Sequence, residues 1–176
     1  MPTIRPIALA VPRRGEDLLV FEYHDPTKDQ TFYRPLGGGI EFGETAELAV
    51  CRELGEELGV GLLDVRRLGV LENIFHGFGR DGHEIAFIFG CRLADQGVYE
   101  RDVVGEILDN AGHKVMWRSL SSFNSDSPLY PDGLADLLRE AEAATLVTGP
   151  VDSPSAARYE RPGSKRTAIE SPAPPS

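Results

Sequence analysis

Six glutamates stand between Leu36 and Leu62, in LGGGIEFGETAELAVCRELGEELGVGL: Glu41, Glu44, Glu47, Glu53, Glu56 and Glu57. One basic residue, Arg52, lies among them. Much of the stretch has a helical pattern, and like charges three or four positions apart cost a helix about 0.2–0.5 kcal/mol per pair. A hard divalent cation would relieve that repulsion. Magnesium takes oxygen ligands, keeps several waters, and is often held by one or two carboxylates plus substrate phosphates. Stepping about 100° per residue from Glu53, Glu57 falls at roughly 40° and Glu56 at roughly 300°, which makes one carboxylate arc. Leu48, Cys51, Leu54 and Leu58 fall between about 100° and 220°, so the buried stripe is expected opposite the arc. Ala46 and Ala49 lie on the arc side, where small side chains leave room for a ligand. The bland alternative is a solvated acidic face, but such faces normally mix signs at i,i+4, and this one mostly does not.

The elements that must position the arc are legible around it. Thr45 is the expected N-cap, with Glu47 in the favourable first turn and Gly59 at the stop. The spacing predicts a helix from Thr45 to Leu58, with Arg52 able to pair with Glu56 one turn on. Upstream, Gly37, Gly38 and Gly39 allow close backbone approach to a ligand. TIRPIALAVPR and DLLVFEYHD read as two strands about a turn at Arg14-Gly15-Glu16. QTFYRPL is a short extended piece running into the glycines. VRRLGVLENIFH and HEIAFIFGCRL read as an antiparallel hairpin across GFGRDG. Ala94 to Gly112 reads as a polar loop, HKVMWRSL as a strand, and DGLADLLREAEAATL as a helix with Leu134, Leu137, Leu138 and Ala141 on one face. Strands flanking one helix, with a second helix after them, imply a mixed α/β sandwich.

Composition narrows the function classes. The chain has 176 residues and a net charge of −10. From Thr148 to Ser176 it holds six of its 13 prolines, four basic and three acidic residues, the composition of a disordered tail. The folded part, residues 1–147, therefore carries −11. Such a surface argues against binding nucleic acid or anionic membrane, though cations can bridge it to a phosphorylated substrate. No apolar run approaches the ~20 residues of a membrane span. The apolar run at the N-terminus precedes its arginines, the reverse of a secretory signal, so the protein is expected in the cytoplasm. Two cysteines, Cys51 and Cys91, make no disulfide framework, and Cys51 is expected as a small buried hydrophobe.

The segment Gly38 to Val60 resembles the Nudix box, G-x5-E-x7-R-E-U-x-E-E-x-G-U, where U is a bulky aliphatic. Gly38, Glu44, Arg52, Glu53, Leu54, Glu56, Glu57, Gly59 and Val60 fill every specified position. At ordinary residue frequencies a chance match is on the order of one in a billion per start site. A looser resemblance covers residues 3 to 146 and includes the Trp117 strand. The resemblance implies an α/β/α sandwich with a mixed β-sheet and the box as loop-helix-loop. It implies hydrolysis of a nucleoside diphosphate linked to another group, with Mg2+ or Mn2+. Glu53, Glu56 and Glu57 would bind metal, with the Gly38 carbonyl as a further ligand. Arg52 would orient the glutamates, and Glu44 would stabilise the loop-helix junction. Glu53 or Glu56 would take the proton of the attacking water. Many members dimerise, so a homodimer is expected.

Outside the box, Glu72, Glu84 and Glu106 stay open between surface residue and further ligand or base. Arg34, just before the glycines, stays open between phosphate or base contact and strand surface. Phe75 and Phe78 stay open between base stacking and hairpin packing. The four histidines show no metal-ligand spacing, and Trp117 is expected in the core. No proline lies between Val60 and Gly90, and IFHGFGRDG carries no tyrosine, so two substrate-marking patterns of the family are missing. The substrate is expected to be a nucleotide of unassigned identity. The rival reading is a Nudix module that senses a nucleotide without cleaving it.

Overall fold

The computed structural model describes residues 2–106 and 113–148. The tail expected over 148–176 lies outside the described residues, apart from the helix end at Thr148. Among the described residues, eight strands and two α-helices follow in the order β1 (Arg5–Arg14), β2 (Asp17–Asp25), β3 (Gln30–Arg34), β4 (Leu36–Gly39), α1 (Ala46–Leu58), β5 (Leu62–Gly77), β6 (Arg80–Leu93), β7 (Val103–Glu106), β8 (Lys114–Ser119) and α2 (Leu134–Thr148). The sheet order is β5-β6-β1-β2-β8-β7, with β3 on β2 and β4 on β1. β1 and β6 run parallel and the other pairs antiparallel, so the sheet is mixed, as expected.

β1 and β2 are paired only beside their turn, at Arg13–Leu18 and Arg14–Asp17. Beyond it they part: β1 takes β4 and β6 as partners, and β2 takes β3 and β8. The gap between these two arms is the origin of the cleft described below. Period-two alternation then sorts β1 between two cores. Ile7, Leu9 and Val11 pack with Leu134 and Leu138 of α2. Ala8 and Ala10 pack with Ala49, Val50 and Leu54 of α1. Small residues on that face let α1 lie close to the sheet. The α2 face matches its spacing, with Leu134 and Leu138 buried.

Four expectations need correction. First, the buried face of α1 is not opposite the carboxylates: it comprises Ala49, Val50, Leu54 and Glu57, while Leu48 is 42% exposed. The helix turns Glu57 inward onto the Gly37 N–H of β4, and Glu53 onto the bare backbone at Gly38. Second, the glycines are not a loop before the helix; Leu36–Gly39 is a strand paired with Ile7–Ala10. Third, the segment from Ala94 is not all loop. Gln96–Glu100 forms a 3-10 turn and Val103–Glu106 pairs with β8. Polar composition hid β7 because backbone, not side chains, makes its bonds. Fourth, the β5–β6 turn is narrower than GFGRDG, since strand pairing continues to Gly77 and Arg80.

Other local readings hold. Thr45 caps α1 by accepting from the Leu48 N–H at 3.3 Å, and Gly59 ends it in the left-handed conformation at φ 68°. Trp117 is buried, and its Nε1 donates to the Val98 carbonyl at 3.0 Å. Cys51, half-buried rather than fully buried as expected, and Cys91 are free thiols beside the α1-side core; burial pushes the pKa of both up, Cys91 to about 12. Among the described residues, no helix is long and apolar enough to cross a membrane.

Candidate active site

A cleft of about 760 Å³ opens where β1 and β2 part. Arg34, Gly37, Gly38, Gly39, Glu53, Glu57 and Glu84 all line it. Two of the arc carboxylates are therefore inside. Glu57 is 7% exposed, and its Oε2 accepts from the Gly37 N–H at 2.8 Å. The Glu53 carboxylate lies against Gly38, so close that a Cβ there would sit 2.5 Å from it. Glu56 is half exposed and does not line the cleft; it pairs with Arg52 at 3.1 Å.

Arg52 ties the box together. Its Nε and Nη2 donate to the two oxygens of Glu44 at 3.0 and 2.9 Å. Nη2 also donates to the Gly39 carbonyl at 2.9 Å. Nη1 donates to Glu53 at 2.9 Å and Glu56 at 3.1 Å. This fork fixes the helix, the β4 end and two carboxylates relative to one another. The Glu44 bonds push the guanidinium's pKa further up, and Arg52 in turn holds the Glu44 carboxyl below its usual range. Glu44 also accepts from the Glu41 N–H at 3.1 Å, which closes the loop before the helix.

Behind these groups lies a row of polar side chains across three strands. Arg5, Glu84 and Asn73 are register partners on β1, β6 and β5. Glu84 is 4% exposed, with Arg5 at 3.8 Å and Arg34 at 3.9 Å. Those separations are ion pairs, too long for hydrogen bonds. Glu72 and Glu106 do not join the site. Glu72 pairs with His83 at 2.9 Å on the surface, and Glu106 is exposed on β7.

Sequence reading missed Arg5, Asn73 and Asp25, which also line the cleft. Arg5 had a signal, since it shares the face of Ile7 by alternation. Asp25 had one too, in Asp25-Pro26-Thr27. An aspartate two before a threonine in a turn commonly accepts from its backbone. Asp25 accepts from the Thr27 N–H at 2.8 Å, the Thr27 hydroxyl at 2.6 Å and the Phe78 N–H at 2.9 Å. These bonds, the Thr27 hydroxyl foremost, lower its carboxyl from 3.8 to about 2. A depressed carboxyl stabilises the fold fully above its unfolded value and loses that contribution as pH falls through its folded one. Melting temperatures from pH 5 to pH 2 should show Asp25→Asn destabilised at pH 5, with the gap to wild type closing below about pH 4. A gap independent of pH would contradict this role.

A mixed sheet between two helices, with inward carboxylates braced by one arginine, defines the class: a Nudix-type domain. The chain belongs to the NUDIX family, whose domain model matches residues 3–133. It is similar to the NAD-capped RNA hydrolase NudC of Mycobacterium tuberculosis, 32% identical over 111 residues, 58% of this chain and 35% of the relative. The chain thus spans about a third of that relative's length. Its fold is like that of a MutT NUDIX hydrolase from Burkholderia pseudomallei, with TM-score 0.56, 22% identity, and 78% and 97% of the two chains covered. It is also like an ADP-ribose pyrophosphatase from Streptococcus suis, with TM-score 0.53, 18% identity, and 81% and 92% covered.

Proposed function

We propose that this protein hydrolyses the diphosphate linkage of a nucleoside diphosphate joined to another group, using Mg2+ or Mn2+. The carrying observation is the inward turn of Glu53 and Glu57 onto Gly37 and Gly38, in a cleft that also holds Arg5 and Arg34. The substrates named for NudC and the Streptococcus suis enzyme, NAD-capped RNA and ADP-ribose, are both diphosphates of this kind.

The donor set fits a hard cation. Glu53, Glu56, Glu57 and the Gly38 carbonyl are all oxygen donors, the set magnesium takes. Among the described residues, no three carboxylates, imidazoles or thiolates converge on one point. A partial set still suits magnesium, which keeps waters and substrate phosphate oxygens. When bound, the cation would neutralise phosphate oxygens and lower the pKa of a water.

The chain's own groups do the rest. Arg5 and Arg34 are far enough from Glu84 to turn N–H groups toward phosphate oxygens. Bidentate arginine contacts would fix the diphosphate in place. Arg52 holds one Glu53 oxygen and so orients that carboxylate. Glu53 takes the proton of the attacking water, with Glu56 and Glu84 as alternative acceptors. Water adds to one phosphorus as the bridging oxygen leaves with the other phosphate, giving two phosphate monoesters when both phosphates are esterified. Residues 1–147 would form this catalytic domain and 148–176 a separate tail, in a cytoplasmic homodimer.

A panel of nucleoside triphosphates, ADP-ribose, NADH, dinucleoside polyphosphates and nucleotide sugars tests the reading. Turnover of at least one is expected with Mg2+ or Mn2+, and its loss on chelation. Tight nucleotide binding with no turnover of any would favour the sensing module instead.

A further inference from the structure

β5 stands at one end of the sheet order, and among the described residues no strand pairs with its outer side. An open edge presents unpaired N–H and C=O groups to any other chain, and folded proteins blunt such edges with charges, prolines and bulges. The first half of β5 is blunted in this way. Asp64, Arg66 and Arg67 are charged and exposed. The pairing with β6 shifts register between Leu63 and Arg66 and again between Arg67 and Gly69. The second half, residues 69–77, pairs with β6 without a shift and holds neither proline nor lysine. Its titratable side chains are tied back to β6, Glu72 to His83 at 2.9 Å and His76 to Asp81 at 2.8 Å.

One face of this second half is also apolar and uncovered. Alternation puts Val70, Glu72 and Ile74 on the side of the sheet where Ala8 and Phe87 join the core under α1. Their register partners on β6 are Phe87, Ile85 and His83, the first two half-buried. α1 does not cover these outer positions: Val70 is 48% exposed and Ile74 70%, and Pro6, the β1 partner of Ile85, is exposed as well. An apolar face therefore runs out to an unblunted strand edge.

We infer that a second copy of this chain pairs antiparallel with residues 69–77 of β5, so that the two sheets become one. A two-fold axis perpendicular to the sheet sets residues of one face opposite residues of the same face. Within the strand, one register then gives both apolar residues an apolar partner. With Glu72 on the axis, Val70 of each copy lies opposite Ile74 of the other, and such cross-strand pairs are what stabilise a sheet. Each Glu72 keeps its own His83 on the side away from the axis. Charge favours this contact over others between copies. Residues 1–147 carry −11, so two copies repel wherever acid meets acid, and this stretch holds a single carboxylate that is already paired. The inference rests on the homodimer reading above and locates its interface.

The test is sedimentation of the full chain from about 1 to about 200 µM, a range that suits a small interface. Wild type should be mostly dimeric at the upper end. Val70→Lys should weaken association about tenfold or more. Val70 lies outside the cleft and on the surface, so this variant should melt as wild type does. Val103→Lys, 57% exposed on β7 at the other end of the sheet, should associate as wild type does. Amide hydrogen exchange should slow across residues 70–76 as concentration rises, and not across β7. A monomer at every concentration overturns the inference and the homodimer reading together. A dimer that Val70→Lys leaves intact, or whose β5 amides exchange as fast as in the monomer, keeps the homodimer and overturns this placement of its interface.

Discussion

Turnover should fall by about 10²–10³ when Glu57 becomes Gln, the cost of losing one preorganised electrostatic group. The substitution changes little else. The Gln side chain has the same shape, and its carbonyl oxygen can still accept from the Gly37 N–H, now at 2.8 Å. The position is buried, so water cannot replace the lost charge. The cation requirement should rise in parallel, because one anionic oxygen donor is gone. Glu72→Gln serves as the control, since that carboxylate lies outside the cleft with His83. Near-wild-type turnover in Glu57→Gln, at an unchanged metal requirement, would remove Glu57 from the site.

The box was legible because each of its positions is filled by a distinctive residue type at fixed spacing. The orientation of its helix was not. A helical wheel treats glutamate as outward, and Glu53 and Glu57 face inward only because Arg52, Gly37 and the glycine surface of β4 receive them. Arg52 adjoins Glu53, but the β4 glycines that receive the two carboxylates are fifteen and twenty residues away in the chain. The strands read well where alternation or apolar runs marked them, as in β1, β2, β6 and β8. β7 carries no such mark and exists through its backbone bonds to β8. Of the aromatic residues lining the cleft, Phe75 and Phe78 were legible as candidates, while Tyr23, Phe32 and Tyr130 come from separate segments that only the divergence of β1 from β2 gathers around it.

The two central glycines of β4 should fail in opposite ways when given a methyl group. At Gly37 a Cβ would sit 2.1 Å from the Ala8 carbonyl oxygen and 3.0 Å from the Leu9 Cα, both backbone atoms of a buried strand. Its φ of 127° is also one that side chains rarely adopt. Strain of about 1–3 kcal/mol and overpacking of about 1–3 kcal/mol both apply. Gly37→Ala should thus cost about 3–5 kcal/mol, a large share of a typical 5–15, and lower Tm by roughly 6–20 °C. At Gly38 the three atoms nearest the Cβ all belong to the Glu53 carboxylate, the far end of a flexible side chain. That group can swing away, so Gly38→Ala should keep a near-native Tm. In moving, Glu53 leaves both the cleft wall and its 2.9 Å bond from Arg52, so turnover should fall at least tenfold. Thermal melts and turnover on the same two preparations separate the cases. A Gly38→Ala protein that melts normally and turns over normally would mean that the position of Glu53 against β4 is not the one that matters for catalysis. A stable Gly37→Ala protein would mean that β1 and β4 approach less closely than their register requires.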